Sequence, residues 1–219
     1  MTSVAGLVTA AGSGTRLGMG PKPFLELAGR SLLWHVVTRL ASVCDTIVVA
    51  VPAGMEAEAQ RSLAEAGDVT FVVGGATRQQ SVLNMLDATA ASHVVIHDSA
   101  RPFTPRTVLE AVRDAALRDG AATAAMPVAD TLHDVEADRP VPRDVLRAIQ
   151  TPQAFATALL REAHAVALRD GLEGTDDAQL VRALGHAVTL VPGSPWSHKL
   201  TRVEDLSWLE ALAAAEPDG

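Results

Sequence analysis

This chain of 219 residues has one cysteine, no tyrosine, no surplus of basic charge and no long apolar run. Each scarcity excludes something. Cys44 alone cannot close an internal disulfide or build a thiolate zinc cluster; its place in an apolar stretch after a predicted helix makes it a packing residue. The missing tyrosine, beside heavy use of Ala and Arg, carries no chemistry. A formal net charge of −8 argues against a surface that coats nucleic acid, though it leaves room for a small basic pocket. No stretch approaches the roughly 18 apolar residues of a membrane span. Met1-Thr2-Ser3 lacks the basic start of a secretory signal. The expected compartment is the cytoplasm. Internal repeats, low-complexity tracts and linkers are also missing, and the length suits one domain.

What is there alternates. Apolar β-branched runs at Val4–Thr9, Thr46–Val51, Val69–Val73, His93–His97, Ala121–Val128 and Val188–Val191 read as strands. Helical patterns separate them, at Ser31–Val43, Met55–Ala66, Gln79–Ala90, about 104–118, Thr157–Leu168, Asp177–Leu184 and Val203–Ala215. Gly67 suits a helix C-cap, Thr104 an N-cap followed by a first-turn proline, and Thr175-Asp176-Asp177 another N-cap pattern. Such alternation predicts an α/β fold with a mainly parallel sheet flanked by helices. The pattern breaks between Ala129 and Gln150, a stretch with Pro140, Pro142 and many charges. It is too long for an ordinary connection and reads as an excursion, either a lid or an arm reaching a second subunit. Residues 214–219 read as a frayed tail with no fused domain.

In open α/β sheets ligands bind beyond the C-terminal strand ends, and the unusual residues cluster there. The first strand runs into Ala10-Ala11-Gly12-Ser13-Gly14-Thr15-Arg16-Leu17-Gly18, then Pro21-Lys22. Glycines admit close backbone approach, free N–H groups cradle phosphate oxygens, and two nearby cations suggest a polyphosphate whose bond breaks under charge stabilisation. The spacing is one residue too long for the dinucleotide fingerprint and does not make a Walker A loop. A plain glycine turn without ligand is the competing reading. Three further clusters meet the same edge: Gly74-Gly75 with Arg78 and Ser81, Asp98-Ser99-Ala100-Arg101, and Asp130-Thr131 after Pro127. Asp98 is the candidate magnesium ligand, since magnesium takes hard oxygen donors and bridges carboxylate to phosphate; a structural ion pair with Arg101 is the alternative. His97 reads as a core histidine, Thr151 as a turn or cap residue, and Lys199 by itself as a solvated surface lysine.

Together these motifs resemble the 2-C-methyl-D-erythritol 4-phosphate cytidylyltransferases, from about Gly6 to Leu212. The matching residues are Ala10-Ala11-Gly12-x-Gly14-x-Arg16, Pro21-Lys22, Gly74-Gly75-x-x-Arg78-x-x-Ser81-Val82 and His97-Asp98-x-Ala100-Arg101-Pro102. Asp130-Thr131, Thr151-Pro152-Gln153-x-Phe155, Thr175-Asp176, Lys199-x-Thr201 and Glu204-Asp205-Leu206 continue the series. The resemblance implies a Rossmann-like nucleotidyltransferase fold with a protruding β-arm at 129–150. It implies transfer of a cytidylyl group from CTP, with a divalent cation such as Mg2+, to a small polyol phosphate. Catalytic roles fall to Arg16, Lys22, Asp98, Arg143 and Lys199. Ala10, Ala11, Gly12 and Gly14 match triphosphate-binding backbone, and Gly75, Ala76 and Ser81 match positions near the cytosine, with Ser99 beside Asp98. Asp98, Arg101, Thr131, Arg143, Thr151, Thr175 and Lys199 match the acceptor side, and Asp98 the metal ligand. The arm implies a homodimer in which Thr131 and Arg143 serve the other protomer. Four departures stand out: Ala76 where an acidic residue is common, Pro23 for Gln, Ser99 for Ala, and Ser197-His198-Lys199 for Asn-Ile-Lys. A ribitol 5-phosphate cytidylyltransferase shares most of these motifs, and a catalytically silent nucleotide sensor shares the fold; an NAD(P)-dependent reductase is disfavoured by the loop spacing.

Overall fold

The computed structural model describes residues 2–12 and 20–215. Gly14, Arg16 and the tail from residue 216 lie outside the described residues.

In chain order the elements are β1 (Val4–Thr9), the short pair β2 (Glu26–Leu27) and β3 (Arg30–Ser31), α1 (Leu32–Ala41), β4 (Thr46–Val51), α2 (Glu56–Ser62), β5 (Val69–Val73) and α3 (Arg78–Asp87). Then follow β6 (His93–Asp98), α4 (Arg106–Asp119), β7 (Ala121–Pro127), the hairpin strands β8 (Leu132–Asp134) and β9 (Arg139–Val141), and β10 (Arg147–Ala156). The chain closes with α5 (Thr157–Asp170), α6 (Asp177–Ala183), β11 (Thr189–Pro192) and α7 (Asp205–Ala215).

Seven strands form one sheet in the order β11-β7-β10-β6-β1-β4-β5. All neighbouring pairs are parallel except those of β10, which runs antiparallel to both β6 and β7. The central strands are apolar on both faces because helices cover both. On one face Val8, Ile47, Val49 and Val95 pack with α1 and α4 through Val36, Leu40, Leu109 and Val112. On the other, Leu7, Val48, Ile96 and Phe155 pack with α3, α5 and α6 through Val82, Leu86, Leu160 and Val181. A third cluster seats α7 on Leu27, Leu32 and Phe103 through Leu209 and Leu212. Cys44 packs at the margin of the first cluster, and burial pushes its thiol up to about 12.

Three local expectations change. Pro105, not Thr104, is the cap position of α4, and the Thr104 hydroxyl bonds back to the Arg101 carbonyl. Helix α2 stops at Ser62, so Gly67, although in a positive-φ conformation, lies in the loop beyond its end. Thr151-Pro152-Gln153 is part of β10, where a register shift between Ile149 and Gln153 accommodates the proline. The excursion is a β8–β9 hairpin followed by a short 3-10 turn at Arg143–Val145, and its last residues already belong to β10.

Candidate active site

The parallel strands all point their C-terminal ends at one sheet edge, and a cavity of about 470 Å³ opens there. Its floor is Asp98, the last residue of β6, and Thr9, the last of β1, which pair in register. The Thr9 hydroxyl donates to Asp98 Oδ1 at 3.2 Å.

Asp98 is buried among cations. Lys199 Nζ donates to Oδ2 at 2.6 Å, Arg78 Nε stands 3.6 Å from Oδ1, and Arg101 Nε lies 3.9 Å from Oδ2. Burial alone raises a carboxyl's pKa; here Lys199, Arg78 and Arg101 outweigh it and hold Asp98 well below the ordinary carboxylate range. The group is therefore a fixed anion at neutral pH.

One wall is built from glycine. Gly74 and Gly75 follow β5, and the Gly74 amide bonds the Val51 carbonyl at 2.8 Å. A Cβ at Gly74 would come within 2.0 Å of the Ala11 methyl, and one at Gly75 within 2.1 Å of Gln80 Cγ. Only glycine lets the two strand-end loops close this tightly. Ser81 fixes the second glycine: its hydroxyl accepts from the Gly75 amide and donates to the Thr77 carbonyl, both at 3.0 Å. The opposite wall carries Lys22, on a short 3-10 turn, whose Nζ donates to the carbonyls of Leu200 and Thr201 at 3.2 and 3.5 Å. The 199–201 loop is itself tied down by Asp205, which accepts from the Thr201 and Arg202 amides at 2.6 and 2.8 Å and from His198 at 3.1 Å.

The expected residues thus fall into groups. Ala11, Gly12, Lys22, Gly75, Ala76, Ser81, Asp98, Ser99 and Lys199 line the cavity together. Ala10 stands behind it, its amide given to the Ala50 carbonyl. Arg101 lies beside Asp98 with a guanidinium nitrogen on the Ser197 carbonyl. Thr151 is buried: its hydroxyl accepts from the Asp98 amide at 3.1 Å and meets His97 Nδ1 at 2.9 Å. Burial pushes His97 down to about 4 and keeps it neutral. Thr131 and Arg143 do not reach the cavity: both are exposed on the arm, and Arg143 donates to the Ala129 carbonyl. Thr175 is exposed before α6, its hydroxyl near Gln179 Oε1 at 3.3 Å.

Thr9, Thr77 and Arg78 are among the cavity residues that received no role in the sequence reading. Arg78 stood in a quoted motif, but no spacing tells that the first residue of α3 reaches β6.

The arrangement suits phosphoryl chemistry: backbone close to the ligand, cations on two sides and one ionised carboxylate between them. Among the described residues no three His, Cys, Asp or Glu side chains stand together as a metal cluster, and Asp98 is the carboxylate that lines the cavity. That donor set fits magnesium, which completes its shell with phosphate oxygens and water.

Comparison with known proteins agrees. The family model described as 2-C-methyl-D-erythritol 4-phosphate cytidylyltransferase matches residues 4–214. The protein of that name from Deinococcus radiodurans is 50% identical over 211 residues, spanning 95% of this chain and 88% of the relative. That from Thermus thermophilus is 48% identical over 213 residues, spanning 96% and 97%. The crystal structure of the Thermus thermophilus protein superposes with a TM-score of 0.83 at 42% identity, covering 98% of this chain and all of the other. The mostly parallel sheet flanked by helices is a Rossmann-like nucleotidyltransferase fold.

Proposed function

Because this chain belongs to the 2-C-methyl-D-erythritol 4-phosphate cytidylyltransferase family and is thereby a nucleotidyltransferase, we propose the following reaction for its cavity. A phosphate oxygen of 2-C-methyl-D-erythritol 4-phosphate attacks the α-phosphorus of CTP. The new P–O bond forms as the bond between the α-phosphorus and its bridging oxygen breaks, and pyrophosphate leaves. The product is 4-diphosphocytidyl-2-C-methyl-D-erythritol, an intermediate in isoprenoid precursor synthesis.

The observation that carries this reading is the carboxylate of Asp98 held ionised among Lys199, Arg78 and Arg101 at the edge of a glycine-walled cavity. Two anions must be brought into contact, and their repulsion is large wherever water is excluded. No covalent nucleophile is required; positioning and charge neutralisation suffice. Lys22, with Arg16, stabilises the crowded α-phosphorus and the departing pyrophosphate. The amides of Ala11, Gly12 and Gly14 cradle the triphosphate, while Ala10 anchors the loop's root in the sheet. Gly75, Ala76 and Ser81 form a slot for the cytosine, and the small Ala76 leaves its recognition to backbone groups.

Asp98 holds the divalent cation. When bound, that cation supplies positive charge against the phosphate oxygens of CTP. Lys199 and Arg101 receive the acceptor's phosphate, and Thr151 acts through Asp98 rather than by direct contact. Thr175, at the foot of α6, belongs to the acceptor side.

Thr131 and Arg143 serve the site of a second copy, carried there by the arm at 129–150, so the working unit is a homodimer. The chain 1–219 acts as one cytidylyltransferase domain in the cytoplasm. Its net charge of −8 argues against nucleic acid, and its small phosphorylated substrates are held by a local basic pocket. No described helix is long and apolar enough to cross a membrane.

The test is pyrophosphate release with Mg2+ and CTP, comparing 2-C-methyl-D-erythritol 4-phosphate with ribitol 5-phosphate, and ATP, GTP and UTP in place of CTP. The expected result is release with CTP and the methylerythritol acceptor alone. Release driven by ribitol 5-phosphate reassigns the acceptor, and CTP binding without release removes the enzymatic role.

A further inference from the structure

Behind the cavity wall Arg78 belongs to an ion-pair network whose other members the roles above leave unused. Arg78, the first residue of α3, reaches in two directions: Nη1 donates to Asp177 Oδ2 at 2.6 Å, and Nε faces Asp98 Oδ1 at 3.6 Å. Asp177 is 1% exposed and His164 is fully buried. His164 Nε2 donates to Asp177 Oδ1 at 3.1 Å. Burial raises the Asp177 carboxyl, but Arg78 and His164 outweigh it and leave the group ionised.

The network is anchored in the sheet. Gln153 Oε1 accepts from the amides of Asp177 and Ala178 at 3.1 and 3.2 Å, and its Nε2 donates to Thr123 Oγ1 at 3.0 Å. Two residues earlier on the same strand, Thr151 holds the Asp98 amide. Strand β10 therefore holds the backbone amide of one aspartate through Thr151 and that of the other through Gln153, and Arg78 spans the gap between their carboxylates.

Stability is a poor reason for such a network. Desolvating buried ions offsets most of their attraction, and well-packed apolar residues of similar size usually do as well or better. Val82, one turn beyond Arg78, Leu160, one turn before His164, and Val181, one turn beyond Asp177, belong to the apolar cluster on this face. Orientation is the better reason. Asp98 has two oxygens: Lys199 holds one, and Thr9 and Arg78 face the other. The Lys199 side chain is 42% exposed and hangs from a surface loop, whereas that of Arg78 is 27% exposed and locked from behind. When an acceptor phosphate draws Lys199 away, Arg78 is the cation that still fixes the carboxylate.

We propose that Arg78 is a positioning residue of the transfer reaction, clamped by Asp177 on a frame of His164 and Gln153 so that it sets the orientation of Asp98. This rests on the role given to Asp98 above.

The experiment is a double-mutant cycle on the full-length enzyme with Arg78→Lys and Asp177→Asn, measuring kcat, KM for CTP and thermal midpoint. Lysine is a point charge and pairs with one carboxylate, not two. Arg78→Lys is expected to lower kcat by about 10- to 100-fold, the scale of a small misplacement at the reacting centre. KM for CTP should shift less than about 3-fold and the thermal midpoint should stay near the wild-type value, both consequences of losing aim rather than binding or fold. The double variant should be no slower than the slower single one, since residues acting through one contact are not additive. A wild-type kcat for Arg78→Lys overturns the inference, as do losses that multiply in the double variant. Should Asp177→Asn fail to fold, Arg78→Lys decides alone. Wild-type enzyme that releases no pyrophosphate at all overturns the functional reading and the role of Arg78 with it; an active wild type beside an unimpaired Arg78→Lys overturns only the role of Arg78.

Discussion

The edge around Asp98 and the arm at 129–150 are built on opposite terms. Around Asp98 the contacts are dense: Thr151 holds its amide, Lys199, Thr9 and Arg78 face its oxygens, and Asp205 holds the loop behind Lys199. The arm is a three-residue ladder on each side, and Val135 and Val145 stand 86% and 80% exposed on it. The described residues that line the cavity are held by contacts within one chain. The arm presents apolar side chains and Arg143 to solvent, as an element does when its partner surface lies elsewhere. The difference separates residues held in place within the chain from residues that, on the proposed reading, complete the site of a second copy, and that distinction can be tested from both sides.

The hardest blow to the pre-organised side is Lys22→Ala. Turnover should fall by about 1,000-fold, the cost of removing a donor aimed at transition-state charge, while circular dichroism stays unchanged; near-normal turnover would end its assigned role. The matching blow to the arm is Arg143→Ala, expected to cost about 100-fold. The two inactive chains differ in which half they damage, so mixing them after subunit exchange should restore part of the activity through one intact site per heterodimer. Proven exchange without recovery would show that no site is shared.

A subtler probe addresses the fastening itself. His97 has its folded pKa near 4 against 6.5 when unfolded, so the unfolded chain takes up a proton first as pH drops. The stability of the neutral form is whole above about pH 6.5 and is lost progressively toward pH 4, about 3 kcal/mol over the window. Denaturant titrations of His97→Gln should show a shallower slope across that range; an unchanged slope would place the acid sensitivity elsewhere. The smallest effect is expected at the tip of the comparison. Val145→Ser should leave folding stability within about 0.5 kcal/mol, as exposed positions do, yet shift the concentration dependence of activity toward higher protein. A variant that unfolds the chain would show the arm to be part of the core.

Most of the parallel sheet was legible because its strands are short apolar runs bounded by turn residues. Strand β10 was not. It begins with Arg147 among charges and contains Pro152, a residue that argues against a strand interior, and its partners β6 and β7 lie far upstream. The cavity walls were readable where chemistry sits in consecutive residues, as in Gly74-Gly75 or Asp98-Ser99. Lys199 could not be seen to meet Asp98, 101 positions away. Asp177 looked like part of a helix cap. Asp176 fills that position, with its side chain accepting from the Gln179 amide, and only the fold shows Asp177 turned inward to Arg78. Local patterns explain local bonds completely, and so conceal a second use of the next residue.

Strand β10 also decides where this chain tolerates change in length. Its side chains alternate between the two faces of the sheet, so a one-residue deletion between Arg147 and Thr151 would turn the Thr151 and Gln153 side chains away from the groups they hold. The turn at 135–138, at the far end of the same arm, joins two exposed strands and meets no such constraint. Insertions belong at the tip of the arm and are forbidden at its root.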